Sequence, residues 1–483
     1  MLVVLWPICC KITEAKSVQN HLIPPDYTII SSNNKFNFSL VKKDWLPLKN
    51  PMPVDDKAID EMVKRINLSV SNHPRELLFA GWGVYPVLNT FLNAYLISHD
   101  EKYLRHFVRF YKYLLSVRMD KRGRMDFRGE ILPQWERMNR QNIFHVSPYF
   151  KYRKEDELSI IKQRGWKNLN FSDVNQSGLF IEQALRFVQI VRNVEKASGF
   201  KEISDQILND SLKVIDSHNS EWVDLNGSGY YRFPRNCPFY LDGVEMPVNE
   251  VSVFAAAIVR AYMITGKLKY KTRATKIWER WKSYMSKDAF GYITYPYTTG
   301  HWYEGWKEGG SVSINTPSAK SNKSPEVVHK ASLTLNFLIL LEFAVQNSTL
   351  NYLRDFHFFM LAALQTGNIL SPFPANFSFI PVQNSANAHL PFVFQGWINL
   401  VSQNSFFLQD TLSYSFISTG MNDISWITYL QYISEKNIPA LKDEFMNTYQ
   451  EVTEVVEPSY LSDDRTECLW KAPMKTKVLI KFQ

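Results

Sequence analysis

Residues 94–118, AYLISHDEKYLRHFVRFYKYLLSVR, are echoed by residues 261–285, AYMITGKLKYKTRATKIWERWKSYM. Both segments carry an apolar run into Ala-Tyr-x-Ile-Ser/Thr, cross a few polar residues and restart at Lys-Tyr, Lys102-Tyr103 in one and Lys269-Tyr270 in the other. Two stretches of helical periodicity joined by so short a polar break read as one helical hairpin used twice. Weaker copies follow at 186–215, RFVQIVRNVEKASGFKEISDQILNDSLKVI, and at 341–364, LEFAVQNSTLNYLRDFHFFMLAAL, where Asn351-Tyr352 stands for Lys-Tyr. The units start near residues 80, 175, 250, 325 and 390, an irregular spacing with inserts rich in Gly, Pro and aromatic residues. A solenoid keeps a tight period with short connections. The expected fold is therefore mainly α, an incomplete or closed (α/α) toroid of helical hairpins with short fringing β-strands.

A chain of 483 residues, 45% hydrophobic and 14% aromatic, has the apolar content for a large core. Each hairpin of a toroid buries its apolar face against its neighbours, so residues 55–434 read as one domain. A net charge of +8 is spread along the chain without basic runs, which points to an anionic partner such as an acidic polysaccharide and away from nucleic acid. Residues 1–19 open with MLVVLWPICC before Lys11 and read as an export segment, placing the protein outside the cytoplasm or in a periplasm. A buried N-terminal strand in a cytoplasmic protein is the alternative. Cys237 and Cys468 could form one bridge in an oxidising compartment, and no CxxC spacing marks a metal. Asn67, Asn170 and Asn347 head glycosylation sequons. The apolar run at 331–345 contains Asn336 and Glu342 and reads as a buried inner helix, and no integral membrane domain is expected.

Residues 20–54 read as an extended arm with a strand at Tyr27–Ser31, and a first amphipathic helix is expected from Asp55. Three glycine turns followed by alternating aromatics, around Gly123, Gly227-Ser228-Gly229 and Gly291, predict small strands at one rim. Residues 435–483 read as a closing helix and a tail with a strand at 475–482.

In a ring of hairpins the connections entering the inner helices converge on one mouth. Polar residues at those entries are therefore the site candidates: Trp82 and Tyr85 before the first inner helix, Asp173, Asn175 and Gln176 at the second, Asn249 and Glu250 at the third, Glu326 and His329 at the fourth, Asn387 and His389 at the fifth. Asp173, Asn249 and Glu326, or its neighbour Ser324, also have a plainer reading as N-caps and first-turn acids satisfying orphan amides. The densest stretch is 297–306, YTTGHWYEGW, where Trp302 and Trp306 offer faces for sugar rings while His301, Tyr303 and Glu304 offer polar groups. Its plainer reading is an aromatic plug over the core.

With Thr265-Gly266 ahead of Lys269-Tyr270, the entry Asn249-Glu250-Val251-Ser252 and the opening Pro325-Glu326-Val327-Val328-His329-Lys330-Ala331, the span from Asn72 to Thr419 resembles the α/α-toroid carbohydrate-active enzymes. That group includes polysaccharide lyases, uronyl C5-epimerases and six-hairpin glycosidases. The Asn-Asn-His motif of alginate lyases is absent. The resemblance implies a carbohydrate substrate and two candidate chemistries. In uronate C5-proton abstraction Tyr303 would be base or acid, His301 or His329 its partner, and Asn249 or Asn175 would neutralise the carboxylate. In glycoside hydrolysis a pair drawn from Asp173, Glu250, Glu304 and Glu326 would flank the scissile bond. The first ranks ahead on the basic charge, hydrolysis is the alternative, and a non-catalytic sugar-binding toroid is the third reading. No cofactor is expected: there is no GxxxxGK[ST] loop, no GxGxxG turn and no GxSxG elbow, and the scattered carboxylates, Asp55-Asp56 and Asp463-Asp464 included, align no divalent-cation set.

Overall fold

The computed structural model describes residues 27–32, 37–42, 60, 63–64, 81–137, 157–287, 293–324, 326 and 328–345. The expected export segment, most of the arm, the helix from Asp55, the fifth hairpin with Asn387 and His389, and the C-terminal helix and strand lie outside or largely outside these residues.

Within them the hairpin repeat appears as helices. Helix α1 (Gly81–Ser98) turns into α2 (Glu101–Ser116). After a short helix α3 (Glu157–Arg164) comes the second hairpin, α4 (Val174–Asn193) and α5 (Lys201–Ser217). The third is α6 (Val248–Thr265) and α7 (Leu268–Lys282). After the one-turn α8 (Gly300–Glu304), α9 (Val328–Val345) opens a fourth.

The sequence echo is kept in the turns. Tyr262 accepts the backbone N–H of Gly266 at 2.7 Å, and Tyr95 accepts that of His99 at the same distance. Gly266 has φ 68° and His99 has φ 55°, so both chains reverse through the left-handed region, where glycine is free and histidine is strained. Asp100 then caps α2 by accepting the Lys102 N–H.

Two kinds of helix result, and composition sorts them. α2 buries only Tyr103, Leu104, Phe107, Phe110, Tyr111 and Leu114, one stripe of an amphipathic outer helix. α6 buries nearly every residue from Val248 to Ala261, as an inner helix enclosed on all sides must. α1, α4, α6 and α9 are the inner helices, packed side by side in that order. They run parallel: Arg186 of α4 reaches Asn89 and Asn93 of α1, and Arg260 of α6 reaches Glu182 of α4. α4 and α6 pack closely at Gly178, where an added Cβ would lie 2.7 Å from the Phe254 nitrogen. Outer α2 wedges against α4 through Phe107 and Phe187, stacked with centroids 4.8 Å apart.

Four residues, one from each inner helix, form a separate apolar cluster: Tyr85, Leu179, Val253 and Leu333. This cluster is a plug on the axis of the arc. The connections 117–173, 218–247 and 283–327 each lead from an outer helix to the start of the next inner one, so they all gather at the N-terminal end of the inner helices.

The fringing strands differ in part from expectation. β1 (Tyr27–Ser32) pairs antiparallel with β2 (Asn37–Lys42), so the expected lone strand is half of a hairpin. β3 (Trp222–Asp224) pairs with β4 (Gly229–Tyr231), and β5 (Ser286–Lys287) with β6 (Ile293–Thr294). After Gly123 there is no strand. The Asp126 carboxylate accepts the N–H groups of Arg128 and Glu130 and folds that segment into a turn. Trp82 and Tyr85 lie inside α1, not ahead of it, and His329 lies inside α9. α6 is long and apolar enough to cross a membrane, contrary to the expectation that no run would be; 72% of it is buried in the protein. Asn170 is buried and donates its amide to Met125 O, so its sequon is closed to glycosylation. Cys237 is buried and forms no disulfide among the described residues, and Cys468 lies outside them.

Candidate functional site

The starts of α4 and α6 bring two carboxylates together around one arginine, and the entry to α9 adds a third carboxyl beside them. Asp173 caps α4, its Oδ1 accepting the Gln176 N–H at 2.9 Å, as the plainer reading of this residue requires. Its Oδ2 does something more, accepting Arg137 Nη1, which also donates to Glu250 Oε2 at 3.1 Å. The Arg137 guanidinium lies over the rings of Phe233 and Phe239, at 5.4 and 5.0 Å from their centroids. Burial alone would lower its pKa; Asp173 and Glu250 outweigh that and hold it above its ordinary value.

Glu326 lies at the entry to α9, 1% exposed. Its Oε2 accepts the Tyr295 hydroxyl at 2.8 Å and the Thr334 hydroxyl at 3.0 Å, while Oε1 has no hydrogen-bond partner. Burial pushes this carboxyl up to about 7, against a partial downward pull from its two hydroxyl donors, Lys330 and the Asn249 backbone N–H. That backbone contact joins Glu326 to the first turn of α6, beside Glu250. Asn249 itself is fully buried, and neither its amide nitrogen nor its amide oxygen finds a partner; the Oδ1 of Asn175, on the neighbouring α4, is likewise unpartnered.

Aromatic rings complete the mouth. Tyr297 accepts the Val248 N–H on its carbonyl at 3.0 Å, its hydroxyl lies 3.1 Å from Lys330 Nζ, and that ammonium sits 4.4 Å from its ring centroid. Burial, then Glu250 and Glu326, raise the Tyr297 hydroxyl above its usual range. Burial and then Glu250 do the same to Tyr240. Trp302 on α8 meets Tyr297 with centroids 6.4 Å apart.

The structure thus brings Asp173, Asn175, Asn249, Glu250, Glu326 and Trp302 to one end of the inner helices. Other candidates sit elsewhere. Tyr303 faces Tyr284, centroids 5.0 Å apart, and Lys323, 5.0 Å from its ring. His301 and Glu304 are exposed on α8. Trp306 is buried and donates its indole N–H to Thr316 O at 2.8 Å, which is the plug reading of that loop. Tyr85 belongs to the axial plug below the mouth. For Trp82 and His329 only the helical position is described, and His389 lies outside the described residues.

Arg137, Tyr240, Tyr295, Lys330 and Thr334 were not singled out in the sequence. Tyr295 and Tyr297 carried a signal, since residues two apart on an extended segment share a side and these lead toward Glu326. Arg137 carried none.

A second constellation has the outline of a nucleophilic triad. Ser177 Oγ lies 2.8 Å from His218 Nε2, and His218 Nδ1 lies 3.3 Å from Glu221 Oε2. Ser177 and His218 are 0% exposed, and the group acts as a bolt between the second hairpin and the connection that follows it.

No protein-family profile and no curated protein sequence matches the chain. Among solved structures it is similar to the α-1,6-mannanase GH76A of Salegentibacter sp. HEL1_6, at 12% identity over 73% of this chain and 88% of that one, with a TM-score of 0.38. An inactive variant of the same enzyme in complex with α-1,6-mannotriose gives a TM-score of 0.39 at the same identity and coverage. An unsaturated glucuronyl hydrolase specific for heparin is similar at 11% identity over 98% of this chain and 96% of that one, with a TM-score of 0.33.

Proposed function

We propose that the mouth is the active site of a carbohydrate-active enzyme and that it hydrolyses a glycosidic bond. The observation that carries this reading is the contrast between two carboxyl groups at the entries of neighbouring inner helices. Glu326 is buried among hydroxyl donors and raised to about 7, so near neutrality much of it holds a proton. Oε2 already accepts two O–H groups, which leaves the proton on Oε1, the oxygen with no hydrogen-bond partner among the described residues. Glu250 is instead tied to a guanidinium through Oε2 and is the more exposed of the Arg137-bound carboxylates. Acid and base kept apart by environment is what glycoside hydrolysis asks of two carboxyl groups.

In this scheme Glu326 delivers its proton to the departing glycosidic oxygen as the bond to the anomeric carbon breaks. Glu250 takes a proton from the water that adds to that carbon. Trp302 and Tyr297 offer ring faces to the sugar. The tyrosines here favour this route over uronate proton abstraction. The hydroxyls of Tyr295, Tyr297 and Tyr240 are all raised by burial, with carboxylates adding to the effect, which makes poor bases of them.

The test is release of reducing ends from a panel of neutral and acidic polysaccharides by the full chain, beside Glu326→Gln and Glu250→Gln variants. Loss of about 10²- to 10⁴-fold in turnover in both is the expected result. An unsaturated ultraviolet chromophore on the products, kept by both variants and lost in Tyr303→Phe, would move the reading to β-elimination. Saccharide binding with no product of either kind would leave a sugar-binding toroid.

A further inference from the structure

The connection 218–247 ends at the start of α6 and so forms part of the rim around the mouth. Its strand residues alternate. Tyr231 and Phe233 turn inward, Tyr231 onto Phe254 at 5.2 Å and Phe233 onto Phe239 at 4.7 Å. Period two then puts Tyr230 and Arg232 on the other face. The Tyr230 ring is covered by the Arg280 guanidinium at 5.2 Å. The Arg232 backbone bridges to Glu245. That carboxylate is already occupied: Arg280 donates to it at 3.1 and 2.7 Å, and Thr299 donates to it at 2.5 Å.

Among the described residues Arg232 is left with no salt bridge, and its Nε is buried without a hydrogen-bond partner. Arg235, exposed and three positions on, likewise makes no salt bridge among the described residues. The two positive charges lie near enough to oppose one another; burial first, then Arg235, lowers the Arg232 pKa. Glu221 also acts on Arg232, but it is engaged by His218, Ser220 and Arg128. Holding two guanidinium groups together, one with a buried donor unmet, costs folding free energy with no return inside the chain. A bidentate anion supplies what is missing, since a guanidinium edge presents parallel N–H groups matched to a carboxylate or sulfate.

We infer that Arg232 and Arg235 form an anion subsite on the rim, one that seats a carboxylate or sulfate substituent of an acidic saccharide whose glycosidic bond lies in the mouth. The inference rests on the mouth being a saccharide site. It also gives the net charge of +8 a local address. The mouth itself is close to balanced, with Asp173 and Glu250 set against Arg137 and Lys330. An acidic substituent is therefore better received at the rim than at the floor.

The experiment is affinity electrophoresis of the full chain through gels holding a homopolyuronate, a sulfated glycosaminoglycan or a neutral glucan. Wild type is run beside Arg235→Gln, the double variant Arg232→Gln/Arg235→Gln, and Glu326→Gln, each checked for folding by circular dichroism. The expected result is retardation of wild type and Glu326→Gln by at least one acidic polymer. The double variant should be weakened about tenfold, and the difference should shrink as salt is added. Which acidic polymer retards identifies carboxylate or sulfate. Arg235→Gln alone, at an exposed position, keeps the test valid if the double variant does not fold. Retardation of the Arg variants equal to wild type, or no retardation of wild type by either acidic polymer, overturns the subsite. The two readings fail separately. Loss of binding in the Arg variants with full turnover in Glu326→Gln and Glu250→Gln leaves the subsite standing and removes the hydrolase. Turnover of the neutral polymer lost in the Glu variants and unchanged in the Arg variants does the reverse.

Discussion

Glu182 and Glu326 are the same residue at nearly the same burial, 0% and 1% exposed, and they are solvated in opposite ways. Glu182, in the middle of α4, takes Arg260 Nε at 2.7 Å, Gln183 Nε2 at 2.6 Å and Asn336 Nδ2 at 3.4 Å. It ties three inner helices together below the axial plug. Glu326, above the plug, receives hydroxyl and backbone donors with no guanidinium, and keeps one oxygen unpartnered. A buried carboxylate matched to an arginine holds structure. A buried carboxyl left without one keeps its proton nearer to neutrality and has it available to give.

The largest effect expected from this contrast is on chemistry. Glu326→Gln should lower turnover by about 10²- to 10⁴-fold in a reducing-end assay while unfolding in denaturant shows no loss of stability at neutral pH. Equal turnover would remove Glu326 from the reaction. Glu182→Gln should do the opposite. It leaves Arg260 buried without its counter-charge and should cost about 3–5 kcal/mol in urea unfolding. A cost below about 1 kcal/mol would mean that the interior pair has little structural role.

Half of this contrast could be read in the sequence. The hairpins were legible because their turns repeat in register, down to His99 and Gly266 in the same left-handed position. Once the inner helices are placed, Asn249, Glu250 and Glu326 follow, because being at a helix entry is a property of local periodicity. Arg137 could not be found that way. It reaches the mouth through the connection 117–173, whose path is set by distant contacts such as the Trp135 indole on Leu114 O at 2.8 Å and the Gln134 amide on Ser217 O at 3.0 Å. The pull of the aromatic stretch 297–306 had the same origin. Composition makes Trp302, Tyr303 and Trp306 look equivalent, and only packing turns the first toward Tyr297, the second toward Tyr284 and the third into the core.

The protonation difference gives a smaller effect with a definite sign. Between its ordinary value of 4.5 and its raised value of about 7, folded Glu326 holds a proton that the unfolded chain has released. Stability from this group is therefore complete below about pH 4.5, falls as pH rises toward 7 and is level above it. The fall amounts to about 3 kcal/mol. Glu221 slopes the opposite way, since burial would raise it but His218, Ser220 and Arg128 lower it overall, while burial raises Asp242 as it does Glu326. The quantity to follow is therefore the difference between wild type and Glu326→Gln in urea midpoints across that range. The variant should gain on wild type as pH rises. A difference that stays constant with pH would mean that Glu326 titrates as an ordinary glutamate.

The smallest effect is on the approach of helices that sets both environments. At Gly178 of α4 an added Cβ would lie 2.7 Å from the Phe254 nitrogen, 2.9 Å from its Cα and 2.9 Å from Val253 Cγ1. Two of those atoms are backbone of α6, so the clash cannot be relieved by turning a side chain. An alanine in a helix ordinarily gains about 1 kcal/mol over glycine. Here the helices must part, and Gly178→Ala should instead cost about 1–3 kcal/mol. Gly199→Ala, with nothing within 4 Å of its added Cβ, is the control and should be neutral or slightly stabilising. Because Val253 belongs to the axial plug and Glu250 lies one turn before it, parting α4 from α6 should disturb the mouth as well. Turnover should therefore fall by more than the stability loss alone would produce at a temperature where the variant is fully folded. If Gly178→Ala loses stability and keeps full turnover, the plug and the mouth are mechanically separate, and the difference between Glu182 and Glu326 is one of partners alone.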